Sequence, residues 1–174
     1  MAEINLRHIV RDLLKPGLIQ QIENAVGPGT PDTFFAIEGI MGWLELKVAR
    51  KLPAKDTTAV FKSLNRGLEL EQEAWLYQAA RFGGGNSWVL ARLPGLNVLV
   101  PGILAHEFNL MTLKNFEQWK IELCDLRATI RFYATEGTVD TRIFGKGKRL
   151  HPRSVWYMQD LREFHPMAEG ISET

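Results

Sequence analysis

The sequence predicts a single α/β or α+β domain with its own hydrophobic core, and three observations support that class. The chain has 174 residues, of which 45% are hydrophobic and 24% are charged. This is enough for one ordinary domain, and it differs from the composition of a disordered segment. Apolar residues follow helical spacing in some segments and form short strand-like runs in others, and clusters of Gly and Pro separate these segments.

The elements before residue 50 are a helix, an ambiguous segment and a hairpin. Apolar residues at helical spacing over 3–14 predict an amphipathic helix, which the following Pro-Gly pair ends. Residues 18–26 fit either a helix or a strand that ends in a turn. The runs DTFFAIE (32–38) and GWLELKVA (42–49) predict the two strands of a hairpin, joined by a connection of about five residues.

The elements after the hairpin are two helices on either side of a second strand pair. Residues 50–67 lack a clear period and predict a loop. The stretch 68–82 predicts a helix, because the three glycines that follow it suit the left-handed positions beyond a helix end. Strands are predicted over 87–93 and 97–100, joined by a Pro-Gly turn, and a long helix is predicted over 110–133.

The hairpin brings ionisable side chains together. Alternate residues of a strand share a face, so Glu45 and Lys47 lie on the side opposite the apolar residues between and around them. A turn centred between Gly39 and Ile40 would place Asp32 opposite Lys47, and a slip of two would still leave Asp32 within reach of both. Three ionisable side chains therefore converge near the strand ends.

This trio fits two kinds of chemistry. Two carboxylates a few ångströms apart make half of a Mg²⁺ site, because that ion prefers oxygen ligands and accepts phosphate oxygens and waters as the others. A lysine beside them can position an attacking water and offset negative charge on phosphorus. The alternative is a cross-strand salt bridge on a solvated face.

The spacing of these residues resembles a known nuclease motif. Pro31-Asp32, twelve intervening residues and Glu45-Leu46-Lys47 resemble the PD-(D/E)xK motif of a large nuclease superfamily. The segments ENAVGPGTPD, GWLELKVA and EQEAWLYQAARFGG are more closely similar to the VRR-NUC branch, which occurs in phage and bacterial nucleases and is Holliday-junction-resolvase-like. The resemblance covers roughly residues 3–100.

The resemblance implies a fold, an activity and a partner. The fold would be a restriction-endonuclease-like core with a mixed central sheet flanked by helices, over residues 1–104. Beyond the reach of the resemblance, we expect residues 105–174 to add a C-terminal helix and an irregular basic tail packed on the same domain. The activity would be Mg²⁺- or Mn²⁺-dependent hydrolysis of DNA phosphodiesters by a homodimer that cuts Holliday junctions or other branched DNA, with a flap or single-strand role left open.

The resemblance also implies roles for individual residues. Asp32 and Glu45 match the metal-binding carboxylates, and the backbone carbonyl of Leu46 matches a further ligand. Lys47 matches the catalytic lysine. Gln72 matches a glutamine that lies near the site in this branch.

The family also uses an upstream acid, and two residues compete for that role. Glu3 begins the first predicted helix, where relatives carry the acid, although an acid in the first turn of a helix is also favourable by itself. Glu23 precedes the glycine-rich turn and would reach the cluster if its segment is a strand; otherwise it is a surface charge.

Basic residues are grouped although the chain is almost neutral. The formal net charge of +1 argues neither for nor against a nucleic-acid partner. Such groups can neutralise DNA phosphates without reading sequence, and the alternatives for the C-terminal group are a solvated loop, an oligomerisation element or a lid. The two expected DNA-contacting groups are Arg50, Lys51 and Lys55 after the hairpin, and Arg142, Lys146, Lys148, Arg149 and Arg153 in the tail.

Composition also bears on location. The single cysteine excludes an intramolecular disulfide and fits a reducing compartment. The charged N-terminus does not resemble a signal peptide, and no apolar run approaches the roughly 20 residues of a membrane helix. We therefore expect a cytoplasmic protein without membrane contact, in the host cytoplasm if the gene belongs to a phage. The rival to a nuclease is a non-catalytic DNA-binding or assembly module that keeps the nuclease fold.

Overall fold

The structure, a computed structural model, describes residues 3–22, 29–64, 66–82, 86–135, 139–140 and 149–150. Its helices are α1 (Glu3–Leu13), α2 (Val60–Leu64), α3 (Leu70–Phe82), α4 (Ala105–Phe108), α5 (Leu113–Glu117) and α6 (Leu126–Thr135). Its strands are β1 (Leu18–Gln21), β2 (Thr33–Ile37), β3 (Ile40–Val48), β4 (Ser87–Leu93), β5 (Leu96–Pro101), β6 (Lys120–Ile121), β7 (Val139–Asp140) and β8 (Arg149–Leu150).

The first six strands form one mixed sheet in the order β1-β2-β3-β4-β5-β6. The pair β3–β4 is parallel, and the other four pairings are antiparallel. A parallel pair needs a crossover connection, which here contains α2 and α3. The ambiguous segment after α1 is therefore a strand where it is described, at the edge of the sheet.

Helices cover the sheet on both faces. On one face, α1 and α6 pack over Leu44, Trp88 and Leu90. On the other, α2, α3, α4 and α5 pack over Val89 and Ala91. The middle of the sheet is therefore buried on both sides, which explains why β4 reads as a nearly continuous apolar run.

A two-residue turn connects β2 and β3, instead of the expected five-residue connection. Ile37 pairs with Ile40, and the turn residues Glu38 and Gly39 have φ of 48° and 80°. Positive φ at both central residues is what a type I′ hairpin turn requires, and its twist matches that of the flanking strands. The turn centre predicted from the sequence is therefore one residue too late.

This turn sets the register of the hairpin. Thr33 pairs with Leu44, and the register continued by one residue brings Asp32 opposite Glu45. The expected pairing of Asp32 with Lys47 is wrong, although the side chains keep the expected face because the shift moves the partner by two residues.

The predicted helix over 110–133 is also wrong, because it is divided into α5, β6 and α6. Thr112 and Asn115 form a capping box that starts α5. The Trp119 carbonyl then accepts a hydrogen bond from the Leu99 N–H, at 3.0 Å, as the chain joins the edge of β5. Apolar residues keep helical spacing through this region, but backbone pairing with the sheet prevails over it.

No helix in the described ranges is both long enough and apolar enough to cross a bilayer.

Residues 105–135 contribute buried side chains to both faces of the sheet, including Phe108 and Phe116 on one and Leu126 and Ile130 on the other. The described part of the C-terminal segment therefore completes the two cores.

Gly42 of β3 lies in close contact with the residue that precedes β4. A β-carbon at this position would lie 2.3 Å from the Asn86 carbonyl oxygen and 2.6 Å from the Phe35 ring. The same carbonyl accepts the Trp43 N–H at 2.8 Å, so it cannot move freely. We expect Gly42→Ala to lower the free energy of unfolding by about 1–3 kcal/mol in urea titrations, as overpacking does.

The neighbouring Met41→Ala is the matched control, since Met41 is exposed and its loss leaves no cavity. Its unfolding midpoint should stay close to that of the wild type. Equal stability of the Gly42→Ala protein and the wild type would contradict the described packing of this junction.

Candidate active site

The two carboxylates predicted from the sequence meet at the open end of the hairpin. The Asp32 N–H donates to Glu45 Oε2 at 3.1 Å, and the Leu46 N–H donates to Asp32 Oδ2 at 3.2 Å. Each acid therefore accepts a hydrogen bond from the backbone of the opposite strand. The hairpin register therefore brings the pair together.

Lys47 and Gln72 complete the cluster around Glu45. Lys47 Nζ lies 2.9 Å from Glu45 Oε1 and donates to Gln72 Oε1 at 3.0 Å. Gln72 Nε2 donates to the same Glu45 oxygen at 2.8 Å. The ammonium, the carboxylate and the amide thus form a closed triangle.

The start of α3 positions Gln72. This residue occupies the third helical position, and its Oε1 also accepts the Glu69 N–H at 3.1 Å. A side chain that reaches back to the backbone before its helix is half of a capping box. The amide that contacts Lys47 therefore also caps the helix.

Arg7 is a member of the site that sequence reasoning missed. Its Nη2 lies 2.6 Å from Asp32 Oδ1. The sequence pointed to an acid at the start of α1, and the pattern contains no signal that a base one turn later would reach a residue 25 positions away. Only the packing of α1 beside the hairpin brings them together.

Glu45 lies in an unusual electrostatic environment. Glu45 is only 1% exposed. Its ion pair with Lys47 is therefore not the salt bridge on a solvated face that the sequence left open. Burial raises the pKa of Glu45 from its ordinary value of 4.5 to about 7. Lys47 opposes this rise, whereas the charge of Asp32 adds to it. A cation close to Glu45 would therefore favour its ionised form.

The carboxylate pair fits a divalent cation. Asp32 Oδ2 and Glu45 Oε2 each accept one backbone N–H, which leaves each oxygen lone-pair capacity for a metal. Both are hard oxygen donors of the type that Mg²⁺ prefers. Within the described residues, no group of three or more His, Cys, Asp or Glu side chains could hold a metal ion.

The structure does not test the other predicted ligands. Glu3 begins α1, but only its backbone is described, and Glu23 lies outside the described residues. Neither is tested as the upstream acid. Leu46 lies in β3 between Glu45 and Lys47, and a ligand role for its carbonyl stays a prediction.

The predicted DNA-contacting residues are only partly described. Arg50, Lys51 and Lys55 are exposed on the segment that follows β3. Arg149 belongs to β8, of which the backbone alone is described. The remaining members of the tail group lie outside the described residues, namely Arg142, Lys146, Lys148 and Arg153.

Comparisons with known proteins bear on the fold. The sequence matches no protein-family model and no curated protein. The structure is similar to that of Archaeoglobus fulgidus Hjc, a Holliday junction resolvase from an archaeal hyperthermophile, with a TM-score of 0.50 and 16% identity. The match covers 74% of this chain and 97% of that chain. With the mixed six-stranded sheet, this similarity confirms the predicted restriction-endonuclease-like fold.

Proposed function

We propose that this protein is a Mg²⁺- or Mn²⁺-dependent DNA endonuclease of the VRR-NUC type that acts on branched DNA. The observation that supports this most is the contact between Asp32 and the buried Glu45, with Lys47 on the same carboxylate. This arrangement combines hard oxygen ligands and an ammonium group, which hydrolysis of a phosphodiester uses together.

Asp32 and Glu45 would hold the metal, with the Leu46 carbonyl as a further ligand. A bound Mg²⁺ or Mn²⁺ supplies a Lewis acid for a phosphate oxygen and lowers the pKa of a bound water. The protein holds both acids in place before the substrate arrives, because each accepts a backbone N–H of the opposite strand. No reorganisation of the hairpin is then needed.

Lys47 would contact the reacting atoms. An ammonium group has three N–H donors, and Glu45 and Gln72 account for two of them. The third can donate to an attacking water or to a phosphate oxygen. Gln72 keeps the ammonium in this orientation and also fixes the Glu45 oxygen.

DNA is the proposed substrate for two reasons. The similar archaeal structure is that of a Holliday junction resolvase, and the exposed Arg50, Lys51 and Lys55 follow the catalytic strand. Cationic side chains beside a site attract the phosphate backbone without selecting a sequence. A homodimer would carry two such sites, as cleavage of two strands of a branched substrate requires.

A non-catalytic DNA-binding or assembly module is the second candidate. Arg7 supports it, because its guanidinium contacts Asp32 and, with Lys47, balances the charge of both acids. The cluster can therefore exist as a structural network. Nicking of supercoiled plasmid with Mg²⁺ and with EDTA separates the two functions, since only the nuclease gives metal-dependent product.

Substitution of the acids tests the metal ligands. We expect Asp32→Asn and Glu45→Gln each to abolish plasmid nicking, because loss of a ligand charge weakens the hold on the cation. Both variants should fold, since the amides keep the size of the acids. Glu117→Gln, which alters an exposed acid of α5, is the control and should cut at the wild-type rate. Wild-type activity in the doubly substituted protein would refute the assignment.

Lys47 has a separate test. Lys47→Ala should lower the cleavage rate by about 10²- to 10³-fold, the usual cost of one donor to a developing charge. Its metal affinity, measured by calorimetry, should not fall, because lysine is not a Mg²⁺ ligand. Lys47→Arg should restore little activity, since guanidinium is larger and keeps its proton. Near-full activity of that variant would reduce Lys47 to an electrostatic contact.

The raised pKa of Glu45 predicts how the metal-free protein responds to pH. The folded protein binds this proton more tightly than the unfolded chain does, so the stabilisation is complete below about pH 4.5 and is lost as pH rises through about 7. The gap between the two pKa values corresponds to roughly 3 kcal/mol. We expect urea unfolding in EDTA to show falling stability between pH 5 and pH 8.

Two controls assign this fall to Glu45. Glu45→Gln cannot ionise and should flatten the pH dependence. Addition of Mg²⁺ at pH 8 should stabilise the wild type and leave Glu45→Gln almost unchanged, because binding to the folded state alone raises stability. The same pH slope in both proteins would contradict the described burial of the carboxyl group.

A further inference from the structure

At the β1–β2 end of the sheet, helices α1 and α6 cover one face, whereas α3 covers only part of the other. On the face under α1 and α6, β2 and β3 contribute Phe35, Ile37 and Leu44, all of which are buried. Asp32 and Glu45 belong to the opposite face of the same hairpin. On the part of that face formed by β1, β2 and β3, half-buried side chains lie next to the candidate site and exposed side chains lie one row further away.

Apart from the exposed Gln20, which lies opposite Phe34, these side chains are apolar. The strand register places Leu18 opposite Ala36 and Ala36 opposite Met41, and it places Phe34 opposite Trp43. Leu18 is 60% exposed and Met41 is 63% exposed, and the other three are half-buried. We call these five residues the open apolar face.

Such a composition needs an explanation. Antiparallel sheets with one solvated face alternate apolar residues inward with polar residues outward. Here both sides of β2 are apolar, as its sequence TFFAI indicates. Contiguous exposed apolar surface beside a polar site is typical of a binding surface.

The aromatic members of this face lie next to the carboxylates. Phe34 and Trp43 pack edge to face with ring centroids 5.2 Å apart, and Trp43 packs likewise on Trp75 of α3 at 4.7 Å. Both strands run from these rings to Asp32 and Glu45 in two residues, a distance of about 7 Å. The rings and the acids therefore lie in adjacent rows of one sheet face.

We propose that Phe34 and Trp43 contact an unpaired base of the strand whose phosphate lies at the Asp32–Glu45 pair. Every base has an apolar face, and aromatic side chains bind it without sequence preference. Bases within a duplex are stacked on each other and cannot present that face. The substrate would thus be branched DNA with a single-stranded segment, such as a flap, at the cleaved bond. This inference rests on the proposed function.

The position of the open apolar face favours substrate over a second copy of this chain. Its aromatic row adjoins the acids directly, so a protein partner seated there would crowd the approach of a phosphate. A nucleic-acid strand can instead occupy both rows at once, since each base projects sideways from the sugar-phosphate backbone. The exposed Arg50 and Lys51 follow β3 in the chain and add positive charge.

The test measures DNA binding in EDTA, where no cleavage occurs. The probes are a fluorescein-labelled thymidine 12-mer and a labelled 12-base-pair duplex. Phe34→Leu and Trp43→Leu remove the rings and keep an apolar side chain, and circular dichroism checks that both variants fold. Phe132→Leu, which alters a 55% exposed ring on α6, is the matched control.

We expect each of the two substitutions to weaken single-strand binding about tenfold or more, with duplex binding unchanged. The Phe132→Leu protein should bind both probes as the wild type does. Equal losses for both probes, or no loss for either, would overturn the inference. So would a dimer that dissociates in Trp43→Leu, by sedimentation, while single-strand affinity stays intact.

The outcomes separate this inference from the proposed function. Metal-dependent cleavage by the wild type, together with wild-type single-strand binding by both ring variants, supports the nuclease and refutes the base contact. Loss of single-strand binding in a protein that never cuts DNA supports the contact and refutes the nuclease.

Discussion

The contact between the Asp32 backbone and the Glu45 carboxylate is the interaction on which the candidate site depends. It forms only if the hairpin turn occupies Glu38 and Gly39, because that turn determines which residues of β2 and β3 oppose each other. It also buries an acid, which costs free energy unless a cation or a proton compensates. Lys47 supplies part of that compensation, and a divalent cation would supply more. The metal proposed for the site would thus also compensate the burial of this carboxylate.

The fold class could be predicted from the sequence because its strongest signals are local. Helical spacing at the N-terminus, the glycines after residue 82 and the Pro-Gly turn between β4 and β5 each depend on a few neighbouring residues. The prediction of one helix over 110–133 was wrong because pairing with β5, which precedes this segment by about 20 residues, draws residues 120–121 into the sheet as an edge strand. Apolar periodicity indicates which side chains are buried, but it does not indicate which hydrogen bonds the backbone makes.

The candidate site divides in the same way. Asp32, Glu45 and Lys47 could be found because strand alternation and a short motif place them together, and Gln72 followed from a family resemblance. The pairing of Asp32 with Glu45 could not be predicted, because a shift of the turn by one residue changes the partner of every residue in both strands. Arg7 could not be found at all. Its contact with Asp32 depends on how α1 lies beside the hairpin, and no spacing in the sequence encodes that angle.

The double use of the Gln72 amide couples the site to the folding of α3. Gln72 Oε1 accepts hydrogen bonds from both the Lys47 ammonium and the Glu69 N–H at the start of α3. Fraying of this first turn would therefore also disturb the contact with Lys47. Protection of the Glu69 amide against hydrogen exchange would therefore report the assembled state of the site without any substrate. A substitution that weakens or strengthens the start of α3 would in turn change the fraction of molecules in which the candidate site is assembled.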